Sequence, residues 1–187
     1  MLLALSGITG VGKSYFKNKI VEKCNFQKVH TIRTRPKRSN EVNFVDGYFM
    51  TPDELDNLQN DGKIAYRFHV FNGDYAYLKS EIFSNDNMVF EMHYTTIDDW
   101  KNVRPDLKTI YIFPTDIKKA KEQLKMRNLP LETEKMRVNE ILDQYNFMMN
   151  NKDFQNKFDY VFFNNYDIDS ENRLISLVDS IRDDSLR

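Results

Sequence analysis

Short apolar runs alternate along this chain with segments whose apolar residues recur every three or four positions, a pattern typical of alternating strands and helices. Residues 2–6 read as a buried strand, and residues 13–24 as a helix with its apolar residues along one side. The same reasoning predicts strands at 26–32, 88–92, 107–113 and 159–163 and helices at 95–102, 116–127, 133–150 and 168–183. This alternation predicts an α/β fold with a parallel core sheet.

Residues 42–77 differ from the rest of the chain. Two aromatic-rich stretches, VNFVDGYFM and IAYRFHVFNGDYAY, flank a short helical segment, PDELDNLQNDG. Strand-forming residues separated by Gly and Asn turns predict a small antiparallel β lobe. We therefore expect a core domain of residues 1–32 and 86–187, with residues 33–85 inserted as the lobe.

Composition narrows the choice of function. The 187 residues contain 27 Lys and Arg against 28 Asp and Glu, a formal net charge of −1. This balance argues against general nucleic-acid binding or attachment to a membrane surface. No apolar run approaches the roughly 18 residues needed to span a bilayer, and no signal peptide is visible, so we expect a soluble cytoplasmic protein.

The stretch GITGVGKS, from Gly7 to Ser14, fits the phosphate-binding pattern G-x-x-x-x-G-K-[ST] between a predicted strand and a predicted helix. Glycines let backbone N–H groups converge on phosphate oxygens, and the helix adds its positive N-terminal end. In this pattern Lys13 reaches the outer phosphates and Ser14 binds Mg²⁺. The residues expected to bind the nucleoside triphosphate are Gly7, Thr9, Gly10, Val11, Gly12, Lys13 and Ser14.

The order of the later motifs distinguishes among nucleotide-binding families. Thr31-Ile32-Arg33 is followed by Arg38-Ser39-Asn40-Glu41-Val42, then Asp46-Gly47-Tyr48-Phe49, then Asn72-Gly73-Asp74-Tyr75. The C-terminal half continues with QLKMRNLPLETEKMR and DYVFFNN. This ordered set resembles the guanylate kinase family, and the resemblance covers nearly the whole chain.

The resemblance implies a three-layer P-loop kinase fold in which the core binds ATP and the inserted lobe binds a nucleoside monophosphate. A helical lid, at about residues 127–137, would close over both. Arg33 and Arg38 would then grip the acceptor phosphate, because the arginine fork pairs with phosphate oxygens. Arg127 and Arg137, together with Lys13, would neutralise the transferring phosphoryl group. Asn164 would lie near the adenine of ATP.

The departures from the family lie in the acceptor half. The carboxylate that reads guanine falls at Arg67 or Phe68, the family's D-x-D becomes Glu91-Met92-His93, and a serine becomes Val29. The two tyrosines that bind the acceptor phosphate in the family each fall one residue away from the family's position in this sequence. The expected acceptor-binding residues are Arg33, Arg38, Tyr48, Arg67, Tyr75, Tyr77, Glu91 and His93.

These features predict an ATP- and Mg²⁺-dependent phosphotransferase acting on a phosphate-bearing acceptor, as a monomer or a homodimer. Because the guanine readers are missing, we expect a nucleoside monophosphate other than plain GMP. Three alternatives remain: an orthodox GMP kinase whose readers are misaligned, a kinase of a ribose bisphosphate-type phosphosugar, and a non-catalytic binding module with this fold.

Overall fold

A computed structural model describes residues 1–37, 41–70 and 73–185 of the chain. The strands are β1 (Leu2–Gly7), β2 (Gln27–Lys28), β3 (Ile32–Arg33), β4 (Tyr48–Phe49), β5 (Ile64–Val70), β6 (Gly73–Leu78), β7 (Met88–Glu91), β8 (Lys108–Pro114) and β9 (Tyr160–Asn164). The helices are α1 (Lys13–Lys23), α2 (Pro52–Asn60), α3 (Lys79–Ile82), α4 (Ile97–Val103), α5 (Ile117–Lys125), α6 (Leu131–Asn150), α7 (Lys152–Gln155) and α8 (Ile168–Asp184).

The core sheet has five parallel strands in the order β2-β7-β1-β8-β9. All six residues of β1 are buried, as expected for a central strand covered by helices on both faces. One apolar cluster joins Leu3 and Leu5 to residues of α1, α5 and α8, and a second joins Leu2 and Ala4 to Trp100 of α4. The predicted α/β three-layer fold is therefore confirmed, and the carboxyl ends of β1 and β7 lie side by side.

The second sheet has four strands in the order β4-β3-β6-β5 and is mixed. β6 is antiparallel to both of its neighbours, whereas β3 and β4 run parallel, with Ile32 opposite Tyr48. The prediction of an antiparallel lobe is therefore wrong for the pair of β3 and β4, because residue alternation carries no information on strand direction. The sheet encloses a small core of its own, formed by Ile32, Leu55, Ile64 and Ala76.

The single strand predicted at 26–32 divides between the two sheets. β2 pairs with β7 in the core sheet, while β3 belongs to the second sheet. Between them Val29 is buried, and its backbone N–H donates to the Val89 carbonyl at 3.0 Å. The backbone N–H of His30 then donates to the Glu81 carboxylate at 2.8 Å, so the chain leaves the core sheet at this point.

The segment that resembles a lid connects α5 to α6. Residues 126–130 join the two helices, with Asn128 in the left-handed region at φ 49° and Pro130 directly before α6. Ile141 and Met148 of α6 are buried against the core, which fixes the rotation of this helix. Within the described residues, no helix is both long and apolar enough to cross a membrane.

Candidate functional site

The glycine loop turns from the end of β1 into α1 through backbone conformations that glycine adopts without strain. Gly10 has φ +81°, and a Cβ there would lie 2.2 Å from the Ala120 carbonyl oxygen. Gly12 has φ +94° and directly precedes the first residue of α1. Between them, the Val11 side chain is fully buried and anchors the loop to the core. The loop backbone is therefore held open towards solvent without bulky side chains in the way.

Lys13 closes back over this loop. Its Nζ donates to the carbonyl oxygens of Gly7 and Ile8 at 2.7 and 2.9 Å. Burial lowers the pKa of Lys13 to about 8; the Glu91 carboxylate opposes this decrease, and the charges of Arg127 and Lys17 add to it. The two acceptors of Lys13 are neutral carbonyls, and a lysine can exchange such partners for phosphate oxygens, which are charged acceptors.

Ser14 and Glu91 meet where α1 faces the end of β7. Ser14 Oγ donates to Glu91 Oε2 at 3.2 Å, and Lys17 Nζ lies 2.7 Å from Glu91 Oε1. Burial alone would raise the pKa of Glu91, but Lys17, Lys13 and the hydrogen bonds it accepts hold that pKa below its usual range. Glu91 is therefore an ionised carboxylate beside the loop's hydroxyl.

Lys13, Lys17 and Glu91 line one side of a cleft of about 600 Å³ between the two sheets. Gly7, Thr9 and Lys13 contribute the loop side of the cleft. Other predicted site residues that line it are Arg33, Tyr75, Tyr77, Glu91 and His93. The fold thus brings the donor loop and five of the predicted acceptor residues to one cavity.

The acceptor residues in the cleft are held by specific contacts. Arg33 Nη1 donates to the Asp46 carbonyl at 2.8 Å, and the Tyr77 hydroxyl donates to the Glu91 carbonyl at 3.0 Å. Burial lowers the pKa of His93, and its Nδ1 is hydrogen-bonded to Thr95 Oγ1 at 2.7 Å. His93 is therefore largely neutral near pH 7 and can act as a hydrogen-bonding group in the cleft.

Arg67 lies outside the cleft. Side chains along a strand alternate between faces, and Phe68, not Arg67, faces the cavity. Arg67 instead binds Asp74, and its Nη1 lies 2.6 Å from Asp56 Oδ1. This ion-paired arginine therefore lies on the face of β5 opposite to Phe68 and the cleft.

Tyr48 also lies outside the cleft, in a groove of about 520 Å³ on the far side of the second sheet. Its hydroxyl donates to Glu81 Oε1 at 3.3 Å, and its ring lies 5.1 Å from that of His30. Tyr75 and Tyr77, two residues apart on β6, share the cleft face. Arg38 lies outside the described residues.

The lid arginines flank the loop and the end of β7. Arg127 follows α5, is exposed, and lies close enough to Lys13 for its charge to lower the pKa of that lysine. Arg137 Nη1 lies 2.7 Å from Glu140 Oε2 on α6. Neither arginine lines the cleft, but the charge of Arg127 acts on Lys13 and that of Arg137 acts on His93, and both of those residues do line it.

Asn164, at the end of β9, is buried and supports the loop from behind. Its Nδ2 donates to the Val11 carbonyl at 3.0 Å, and its Oδ1 accepts from the Tyr166 N–H at 2.7 Å. Both ends of the amide are thus engaged with backbone groups. The contact to Val11 links the last strand of the core sheet to the loop.

Several residues near the site were missed from sequence. Arg35 donates two hydrogen bonds to the Glu41 carboxylate, at 2.8 and 2.6 Å, and its hydrogen bonds to Glu41 and Tyr75 raise its pKa. Its Nε is buried without a partner among the described residues. Thr31, four residues earlier, lines the cleft. The spacing R-x-x-R from Arg35 to Arg38 was the available signal.

Comparisons with known proteins agree with this geometry. The family model described as guanylate kinase matches residues 1–180. A guanylate kinase of Mesomycoplasma hyopneumoniae (strain 7448) is 31% identical over 139 residues, covering 67% of this chain and 70% of the relative. A guanylate kinase of Oceanobacillus iheyensis is 27% identical over 173 residues, covering 86% of this chain and 84% of the relative.

Among solved structures, the fold is similar to a crystal structure of guanylate kinase from Anaplasma phagocytophilum. The TM-score is 0.68 at 19% identity, covering 96% of this chain and 85% of that chain. At this identity the likeness supports the fold, while the family model and the curated relatives carry the assignment. Together they confirm the resemblance noted in the sequence: the chain belongs to the guanylate kinase family.

Proposed function

We propose that this protein transfers the γ-phosphate of ATP to GMP. The observation that carries the proposal is the shared cleft, where Lys13 of the donor loop and Arg33 of the second sheet line one cavity. Phosphoryl transfer requires donor and acceptor phosphates to meet in line, and a single cleft with cations on both sides meets that requirement. A non-catalytic module would not require this convergence.

GMP as acceptor corrects our expectation of a nucleotide other than plain GMP. That expectation depended on guanine readers at fixed positions in a register that began at Arg33. If the family's first arginine is Arg35, the serine position falls on Thr31, whose side chain lines the cleft, and not on buried Val29. The relatives reported above are all named guanylate kinase, which favours GMP over a modified nucleotide or a phosphosugar.

In the proposed reaction, an already ionised phosphate oxygen of GMP attacks the γ-phosphorus of ATP and ADP leaves. No general base is needed, since the attacking oxygen carries no proton that must be removed. Lys13 would exchange its two carbonyl partners for phosphate oxygens, and Arg127 and Arg137 would offset charge that spreads over the transferring group. Arg33, with Arg35 beside Tyr75, would hold the acceptor phosphate.

The residues present fit a Mg²⁺ ion brought with ATP. Mg²⁺ prefers oxygen ligands and is usually held by one or two protein oxygens together with substrate phosphates and water. The Ser14 hydroxyl and the ionised Glu91 carboxylate, 3.2 Å apart, supply two such oxygens. The ion would neutralise phosphate charge during transfer. Lys17, now paired with Glu91, would keep that carboxylate in position.

The test is an ADP-release assay of the purified protein with ATP, Mg²⁺ and a panel of acceptors. The panel contains GMP, dGMP, IMP, AMP, CMP, UMP and ribose 1,5-bisphosphate. We expect the highest kcat/KM with GMP, at least about tenfold above AMP and the pyrimidine nucleotides. A higher value with a pyrimidine nucleotide or with the phosphosugar would contradict the proposal.

A further inference from the structure

Three carboxylates line the described part of the cleft, and only one of them has no hydrogen bond or ion pair to a described residue. Glu91 is engaged by Ser14 and Lys17, and Glu140 Oε2 accepts from Arg137 Nη1 at 2.7 Å. Asp143, one turn after Glu140 on α6, is exposed, lines the cavity and has neither a hydrogen bond nor an ion pair to any other described residue; burial and the charge of Asp143 raise the pKa of Tyr94, which also lines the cavity. A carboxylate that faces a binding cleft without a partner is available to a ligand.

Packing fixes which way this part of α6 points. Ile141 and Met148 are buried on the core side of the helix. Gln144 Nε2 donates to the Tyr111 hydroxyl at 3.2 Å. Residues 143 and 147 are one turn apart and therefore lie on one face of α6, and both line the cleft. The direction of Asp143 is thus set by the helix and not by a mobile loop.

Aromatic side chains surround the cavity near Asp143. The Tyr94 ring lies 6.0 Å from that of Phe147, and the Phe68 ring stacks on Tyr75 at 5.7 Å on the side of the second sheet. Such rings bind the flat face of any base and do not distinguish one base from another. Discrimination must come from a polar group that meets the edge of the base.

The spacing along α6 suits a nucleotide. Arg137 lies on the same helix, and its charge acts on His93, which lines the cleft. Asp143 lies six residues further along, which is about 9 Å at 1.5 Å per residue. This is comparable to the separation of phosphate and base within one nucleoside monophosphate.

We propose that Asp143 reads the acceptor base, with its two carboxylate oxygens accepting from N1–H and the 2-amino group of guanine. This inference rests on the proposed function and adds a determinant of its specificity. Adenine presents an acceptor at N1 and lacks the 2-amino group, so it cannot make the same pair of bonds. Asp143 on α6 would thus provide the acceptor that Arg67 and Phe68 of β5 cannot provide.

The test compares Asp143→Asn with Asp153→Asn, the same chemical change on an exposed carboxylate of α7 outside the cleft lining. Binding of GMP is measured by calorimetry without ATP, and kcat/KM is measured with GMP and with IMP, which lacks the 2-amino group. We expect Asp143→Asn to weaken GMP binding about 10- to 100-fold, because the amide offers one acceptor oxygen where the carboxylate offers two, and its NH2 group would face a donor of the base. The loss should be smaller for IMP, and Asp143→Glu should restore part of the GMP affinity.

GMP binding by Asp143→Asn within twofold of wild type would overturn the inference. So would an equal loss for GMP, IMP and ATP with a lower Tm, since that is a structural effect. The wild-type enzyme separates this outcome from failure of the proposed function: turnover of GMP by wild type with an unaffected Asp143→Asn variant refutes only the role of Asp143. No GMP turnover by wild type refutes both.

Discussion

The donor loop and the acceptor side of the cleft are built in different ways. The loop is held by buried contacts to its backbone, such as the bond from Asn164 to the Val11 carbonyl and the contact of Gly10 with Ala120. The acceptor side depends on side chains of short strands, where Arg33 faces the cleft and Arg67 faces outward. The loop can bind phosphate wherever its glycines and lysine are present, whereas each acceptor residue acts only if its strand register points it inward.

Substitutions in the loop and substitutions on the outer face of the lobe should therefore differ in the size of their effects. A substitution in the loop alters the backbone conformation, and neighbouring residues cannot shift to accommodate it because the core behind the loop is closely packed. A substitution on the outer face of the lobe removes exposed contacts that contribute little. Four experiments test this contrast, taken from the largest expected effect to the smallest.

Lys13→Met should lower kcat by about 10²- to 10³-fold, the usual effect of removing one charged group that stabilises the transition state. The Tm should not fall, since the change removes a desolvated charge from between two carbonyls. An ADP-release assay measures kcat, and thermal unfolding measures the Tm. Lys19→Met, at a partly exposed lysine on the same helix that does not line the cleft, is the control and should leave kcat unchanged.

Glu91→Gln should lower kcat/KM by about 10- to 100-fold and raise the Mg²⁺ concentration needed for half-maximal rate, because a neutral amide is a weaker Mg²⁺ ligand than a carboxylate. A Mg²⁺ titration of the rate measures this. Glu22→Gln removes a carboxylate from an exposed pair with Lys19 and should leave the titration unchanged. An unchanged titration in Glu91→Gln would remove Glu91 from the proposed metal site.

Gly10→Ala and Gly62→Ala compare a crowded glycine with an open one. Both have positive φ, at +81° and +69°, but a Cβ at Gly62 meets nothing within 4 Å. Gly62→Ala should therefore cost about 1–2 kcal/mol of unfolding free energy from backbone strain alone. Gly10→Ala should cost a further 1–3 kcal/mol, roughly, from overlap with the Ala120 carbonyl. Urea unfolding of both variants checks the order, and equal costs would contradict it.

Arg67→Gln should leave kcat and the KM for GMP unchanged within about twofold, since its guanidinium faces Asp56 and Asp74 on the outer surface. The loss of unfolding free energy should stay below about 1 kcal/mol, as for other partly exposed ion pairs. Steady-state kinetics with GMP measures the first quantity. A KM raised tenfold would instead support Arg67 as an acceptor-binding residue.

Sequence reasoning was accurate for the core and weak for the acceptor lobe. Long apolar runs and the full loop motif predicted the parallel sheet and the position of Lys13, because burial on both faces leaves little choice of pairing. The lobe strands are as short as two residues, as in β3 and β4, so alternation over them could not predict which side chains face the cleft. The direction of β4 and the contacts of Arg35 with Glu41 and Tyr75 could be read only from the tertiary structure.

Asp143 illustrates a second limit. It lies in a long helical pattern with polar residues on several faces, so periodicity alone gives no reason to select it. Only the burial of Ile141 and Met148 shows which neighbours turn towards the cleft. Residues on a helix that borders a site are therefore harder to predict than residues within a motif.

The low pKa of Lys13 also bears on chemical reactivity. With a pKa of about 8, close to half of its amine is neutral at pH 8 and carries a free lone pair. Lys19 on the same helix is almost wholly protonated at that pH, because its hydrogen bond with Glu22 raises its pKa. An acylating reagent such as an activated ester should therefore modify Lys13 before Lys19, and bound ATP should protect it, which makes covalent labelling a direct readout of nucleotide occupancy in the loop.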